Sequence, residues 1–211
     1  MRHLPERPHS TRTIALLAGV LAASVVFSGC KKLHQSDMTP LNQAGMDFGS
    51  LEQLRKIGVS DSEVAQLIPV RQSGMTDDGC LELVRLAHAH QQTFAEGQGV
   101  AGLLGAGFHE DSVVELAKLN QLGLWTGEAE ALRLSGLSDQ LVLAVARRRA
   151  AGETVLSSAE IAALKNSGLN ESQILTDVNS GMTDAQAEKV IAERNYDAGG
   201  HGFVRVRHRR R

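Results

Sequence analysis

Leu103-Leu-Gly-Ala-Gly107-Phe-His-Glu-Asp-Ser-Val113 and Leu132-Arg-Leu-Ser-Gly136-Leu-Ser-Asp-Gln-Leu-Val142 are two copies of one pattern. Two more stand at Leu54-Arg-Lys-Ile-Gly58-Val-Ser-Asp-Ser-Glu-Val64 and Leu164-Lys-Asn-Ser-Gly168-Leu-Asn-Glu-Ser-Gln-Ile174. Each runs leucine, three residues, glycine, an apolar residue, a capping residue, and a second apolar residue six after the glycine. Glycine closes a helix because it enters the left-handed conformation without a Cβ penalty, and the apolar residue after it packs back on the residue four before the glycine. That pairs Leu54 with Val59, Val70 with Met75, Leu103 with Phe108, Leu119 with Leu124, Leu132 with Leu137 and Leu164 with Leu169. Further glycines follow sixteen residues on: Gly74 after Gly58, Gly123 after Gly107, Gly152 after Gly136 and Gly168 after Gly152. A shorter copy, Ser180-Gly-Met-Thr-Asp184, echoes Ser73-Gly-Met-Thr-Asp77.

A cap opens the helix after each corner. Ser60 with Glu63, Ser157 with Glu160, Asn170 with Gln173 and Thr183 with Gln186 have capping-box spacing, while Thr76 and Ser138 are caps without that partner. The apolar residue after the glycine also stands where it can staple to the fourth helical position, as Met75 does to Cys80 and Leu137 to Val142. Between corners the apolar residues recur at helical spacing, and no stretch alternates as a strand would. The expectation is an all-α array of about nine or ten short helices joined by tight glycine corners, either an irregular helical repeat or a compact globule. The 49 residues from Gly58 to Gly107 interrupt the regular spacing. Similar Leu, Gly, Ser-Asp, Val runs occur in bacterial envelope proteins, and this resemblance covers most of residues 50 to 194. It implies a helical repeat and no activity.

Upstream of this body the chain has the composition of an export signal. Arg2, Arg7 and Arg12 precede an apolar run from Thr13 to Phe27, which ends in small residues. The run is too short to span a hydrocarbon core, which needs about twenty residues. Phe27-Ser28-Gly29-Cys30 resembles a lipobox, with Phe27 where the usual residue is Leu. The resemblance implies a bacterial lipoprotein: diacylglycerol on the Cys30 thiol, cleavage before Cys30, and an N-acyl chain on the new amino terminus. Lys31 after the cysteine implies sorting to the outer membrane, facing the periplasm. Several acyl chains make detachment negligible at about 0.8 kcal/mol per buried methylene. The expected layout is a signal peptide over 1–29, a lipidated N-terminus and flexible tether over 30–49, the helical body over 50–195, and a glycine-rich basic tail over 196–211.

Composition narrows the functions open to the body. Cys30 and Cys80 are the two cysteines, so with one lipidated no disulfide framework is available. Aromatic residues make up 3% of the chain, too few for a platform that stacks bases or sugars. Between Lys31 and Val204 there are 14 Lys and Arg against 23 Asp and Glu, and then Arg205, Arg207, Arg209, Arg210 and Arg211 crowd the end. This tail is a candidate contact for anionic lipid or cell-wall carboxylates, where each basic residue contributes about 1 kcal/mol.

The corner also resembles the helix-turn-helix of DNA-binding repressors. That motif has Ala four before its glycine, whereas this chain has Leu, and the body is acidic, so nucleic acid is not an expected partner. His88 and His90, two apart on a helix, point to different sides and are not a metal pair. Cys80 occupies an apolar staple position and reads as buried structure. Arg147, Arg148 and Arg149 read as a solvated helix end, and Gly97 to Gly107 as a small-residue helix that allows close packing. No catalytic constellation, metal site or cofactor is expected beyond the acyl groups on Cys30. The expected function is a membrane-anchored, non-enzymatic scaffold or interaction module with an envelope protein partner. The alternatives are a periplasmic enzyme or lipid carrier using scattered residues such as His88, Glu110 and Ser112, or binding led by the tail.

Overall fold

A computed structural model of the chain describes residues 36–200, without the side chains of Leu124 and of residues 197–200. The described chain is helical throughout, with no strand. Its eleven helices are α1 (Thr39–Gln43), α2 (Phe48–Ile57), α3 (Asp61–Gln72), α4 (Asp77–Ala89), α5 (Gly97–Gly105), α6 (Glu110–Lys118), α7 (Leu122–Leu134), α8 (Asp139–Ala150), α9 (Ser158–Asn166), α10 (Glu171–Ser180) and α11 (Asp184–Gly200). None of the described helices is long and apolar enough to cross a membrane.

Each junction between these helices contains one left-handed residue. In chain order they are Gly45, Gly58, Gly74, Gln91, Gly107, Asn120, Gly136, Gly152, Gly168 and Gly181. At every junction the next residue's N–H returns to the carbonyl five residues back, from Met46 to Leu41 (3.1 Å), Phe108 to Leu103 (3.0 Å) and Leu169 to Leu164 (3.2 Å), for example. This bond satisfies an orphaned helix-end carbonyl and aims the chain into the next helix. The apolar residues that follow the glycines are buried plugs: Met46, Val59, Met75, Phe108, Leu137 and Leu169.

Two expectations about corners are corrected. The spacing is not broken between Gly58 and Gly107, because Gln91 supplies the missing corner with φ 58°. The junction after Gly107 lies at Asn120 (φ 53°), not Gly123, which sits inside α7. The proposed pairing of Leu119 with Leu124 therefore does not mark a corner, and the Leu124 side chain lies outside the described residues. The body also begins earlier than expected. Residues 36–49 contribute α1 and buried Met38, Leu41 and Met46, and the Ser36 hydroxyl donates to the Val59 carbonyl at 2.6 Å. Polar neighbours hid these apolar side chains in what reads as tether composition. At the other end α11 continues through Gly199 and Gly200, into the first residues of the stretch expected to form the glycine-rich tail.

The helices stack in two rows. In one, α1 packs on α3, α3 on α5, α5 on α7, α7 on α9 and α9 on α11; in the other, α2 packs on α4, α4 on α6, α6 on α8 and α8 on α10. Sequential partners such as α3 with α4 and α7 with α8 join the rows, and one apolar core runs between them. Burying a Leu-sized side chain is worth about 1.5–3 kcal/mol, so the plugs and helix faces supply most of the cohesion.

A polar ladder fixes the rows. The first residue of each helix after α2 in the even row is an acid, and it reaches back to the exposed cap N–H of the preceding helix in that row. Asp77 accepts from the Asp47 N–H (2.9 Å), Glu110 from Thr76 (2.8 Å), Asp139 from His109 (2.9 Å) and Glu171 from Ser138 (3.1 Å). Each carboxylate also sits at the positive end of its own helix dipole, so one side chain serves two helix ends. In the odd row Asp184 takes the Ser157 N–H at 2.9 Å. This corrects the capping box expected from Glu160: the next helix's acid takes the N–H that Glu160 would have bonded.

Cations complete the corners on the other side. Arg71 donates to the carbonyls of Gly45 (3.0 Å) and Met75 (3.1 Å) and pairs with Asp77 at 2.7 Å. Arg133 repeats this on Gly107 (3.0 Å), Leu137 (3.2 Å) and Asp139 (3.0 Å). Two helices cap themselves instead, α3 by Glu63 on Ser60 and α10 by Gln173 on Asn170.

Candidate functional site

Beside the two junctions without glycine lies a half-open cavity of about 510 Å³. Its walls come from the end of α4, the loop leading to α5, and the turn between α6 and α7. The cause lies in the local sequence. Both elements that usually fill a corner are changed: Gln91-Gln92 stands where six of the eight glycine corners have a buried apolar plug behind the glycine, and so does Asn120-Gln121. A glutamine does not plug an apolar junction, so the space stays open. Leu83, Ala87, Phe94, Ala117 and Leu122 are its apolar lining residues; Gln91, Gln92, Thr93, Asn120, His90 and Glu96 are its polar ones.

The loop that forms one wall is fixed to α3. Glu63, with its side chain 2% exposed, accepts from the Phe94 N–H at 3.0 Å and from His88 Nε2 at 2.8 Å through one oxygen. Its other oxygen accepts from the Ser60 N–H at 2.8 Å and from the Ser60 hydroxyl at 2.9 Å. Burial by itself would raise the Glu63 pKa, but these donors outweigh it and hold the carboxyl below its ordinary range. The far end of the loop is tied by the Gly97 N–H to Gln66 Oε1 at 2.9 Å. The cavity wall is thus held at two points on α3.

Behind it, α5 lies close between α3 and α7. A Cβ on Gly97 would meet the Gln66 carbonyl oxygen at 2.0 Å, and one on Gly99 would meet Thr126 at 2.8 Å. The expected small-residue helix is present, and its purpose is this approach of backbones.

Most of the polar residues singled out in the sequence are occupied in holding the array. His88 binds Glu63, Glu110 binds Thr76, and Ser112 lies against Asp139, so the structure does not bring these three together. Asp139 is raised by burial but lowered further by the His109 N–H and side chain, by Ser112 and by Arg133, and ends below the usual carboxylate range. Cys80 is buried, and that burial pushes its thiol up to about 12, where it is neutral and unreactive. Of the three arginines at the end of α8, Arg147 is exposed and pairs at the surface with Glu115 at 3.4 Å, while Arg148 and Arg149 are half-buried, Arg148 pairing with Glu153 at 2.7 Å and Arg149 with Glu128 at 3.0 Å while lying 5.0 Å over the Trp125 ring. Cys30 with Phe27, Ser28 and Gly29, and the tail from Arg205 through Arg207, Arg209, Arg210 and Arg211, lie outside the described residues.

Gln91, Asn120 and Glu63 as a loop anchor were not singled out from sequence as site residues. A signal for the first two was present: Gln91 falls seventeen residues after Gly74, and Asn120 sixteen before Gly136, each at corner spacing. No family profile, curated protein or solved structure matches this chain.

Proposed function

We propose that the chain is a lipid-anchored scaffold of the cell envelope that holds a protein partner on its helical array and carries no chemistry of its own. The observation that supports this reading most is the use made of the polar groups. The junction acids, Arg71, Arg133, His88 and Glu63 each close a hydrogen bond or ion pair between helices, while the cavity beside Gln91 and Asn120 is lined mainly by amides and apolar side chains, with Thr93, His90 and Glu96 among them. An array spent on its own rigidity and leaving an open recess suits holding better than turnover. The anchor belongs to the same proposal. Cys30 carries the diacylglycerol and N-acyl chain by resemblance to lipoproteins, and the outer membrane facing the periplasm is the expected surface.

Photocrosslinking in living cells, with the reactive group at the exposed rim position Thr93, tests the partner directly. The expected product is a discrete adduct with an envelope protein. Smearing without a discrete adduct from Thr93 and from several other surface positions would remove the reading. Metabolic labelling with an alkynyl fatty acid tests the anchor: Cys30→Ser is expected to abolish label and release the body from membranes, and retained label would refute lipidation at this cysteine.

A further inference from the structure

We propose that the cavity between Gln91 and Asn120 recognises an extended peptide segment, uncharged or cationic, whose aliphatic side chain enters the recess while carboxamides read its backbone. This rests on the scaffold reading and names what the scaffold holds.

The starting point is the set of ten junctions. Eight use glycine, and the two that do not are the two that border the cavity. A non-glycine residue in the left-handed region costs about 1–2 kcal/mol of conformational energy. Asn is among the residues that tolerate it better, but Gln has no such allowance. Glycine would satisfy both backbones, as it does in eight places, so what the sequence gains at 91 and 120 is a side chain. Both side chains are carboxamides, and Gln92 beside them is a third.

The chemistry of the walls selects the ligand. A carboxamide offers a donor and an acceptor side by side, the complement of a peptide group. An acyl chain would leave these amides without partners in an apolar contact, which costs free energy. A sugar or base would want an aromatic face, and the single aromatic in the lining, Phe94, is buried at 4% exposure. Neither Lys nor Arg occurs among the lining residues, whose ionisable side chains are Glu96 and His90, so the Glu96 carboxylate disfavours an anionic segment and a neutral or basic one fits. Half-buried Ala87, with the edges of Ala117 and Leu122, offers an apolar surface for one aliphatic side chain, and the Glu63 and Gln66 ties keep the wall in place before binding, which lowers the ordering cost.

The test uses two substitutions that the backbone favours. Fluorescein-labelled Gly-Ser-Xaa-Ser-Gly peptides, with Leu, Val or Asp at the third position, are titrated with the intact chain and followed by fluorescence anisotropy. Saturable binding is expected for Leu and Val and none for Asp. Gln91→Gly and Asn120→Gly should each weaken the Leu peptide about tenfold, the loss of one or two backbone hydrogen bonds, while Tm rises by about 2–4 °C as the left-handed strain is relieved. A merely structural role for these residues would move Tm alone. The proposal is overturned if neither aliphatic peptide saturates at millimolar concentration, if both glycine variants bind as tightly as the parent, or if a fatty acid or a second copy of the chain displaces the peptide. It is also overturned if the peptide binds only after residues 201–211 are removed, since the chain's own end would then be the occupant. The scaffold reading is judged separately: a Thr93 adduct formed equally well by the glycine variants in cells keeps that reading and sinks this one.

Discussion

The corner at Gly136 and the corner at Gln91 perform the same turn with opposite priorities. At Gly136 the left-handed residue is glycine, Leu137 behind it is buried, Arg133 donates to Leu137, and Asp139 bonds the cap N–H at His109. Everything local serves the joint. At Gln91 the backbone makes the same return bond, from the Gln92 N–H to the Ala87 carbonyl at 2.9 Å, but the plug is gone and the loop is secured from outside by Glu63. The difference teaches that the repeat is defined by its backbone bond, and that its side chains are replaceable where another element takes over the anchoring.

If the amide half were simply a looser piece of the array, it would tolerate added volume. The largest effect expected is therefore from Gly97→Ala, where the new Cβ meets backbone at 2.0 Å and neither helix can yield cheaply. A loss of about 3 kcal/mol or more is expected in denaturant unfolding. Gly127→Ala, with no atom within 4 Å of the added Cβ, is the contrast and should gain about 0.5–1 kcal/mol.

Next comes the outside anchor. Glu63→Ala leaves the Phe94 and Ser60 N–H groups without their acceptor and should cost about 2–3 kcal/mol, with hydrogen exchange accelerated at Phe94 well before global unfolding. The same carboxyl gives the comparison a pH readout. Glu63 and Asp139 both have folded pKa values below their ordinary ones, so the unfolded chain binds more protons in acid. Their stabilisation is fully present above the ordinary carboxylate range and is lost as pH falls through the folded values. Glu63→Gln should flatten the acid limb of stability against pH, and an unchanged limb would show that the anchor works as a neutral group.

Smaller still is the removal of a rung. Asp139→Ala should cost about 1–2 kcal/mol, measured by thermal unfolding, because it frees the His109 N–H and unpairs Arg133 at one corner only. The smallest change expected is Gly136→Ala, about 1 kcal/mol, from the Cβ penalty at φ 79° alone. If it cost nothing, the left-handed backbone would store no strain at Gln91 and Asn120 either.

Much of this was readable in advance. Leu, Gly, apolar, cap and apolar at fixed offsets specify a helix end, a turn and a helix start within about ten residues, and five of the six expected closures between a helix residue and its plug stand as read. The correction at Gly123 has a clear origin: glycine inside a helix and glycine at a corner look alike in one dimension, while Asn120 and Gln91 can occupy a corner without being glycine. The acids three after the corner glycines, Asp61, Asp77, Glu110, Asp139, Glu171 and Asp184, form a column in the same alignment. Their meaning was hidden because the first reads as helix-start charge, yet Asp77 serves Asp47, 30 residues away.

The amino-acid order alone determined that the body would be helical and where most helices would stop, because a left-handed corner and its closing bond involve only neighbouring residues. Which helices lie side by side, which acid satisfies which distant N–H, and whether an unplugged corner opens onto solvent or onto another element depend on contacts about thirty residues apart. Those are set when the two rows bury their apolar faces together, and only the tertiary structure decides them.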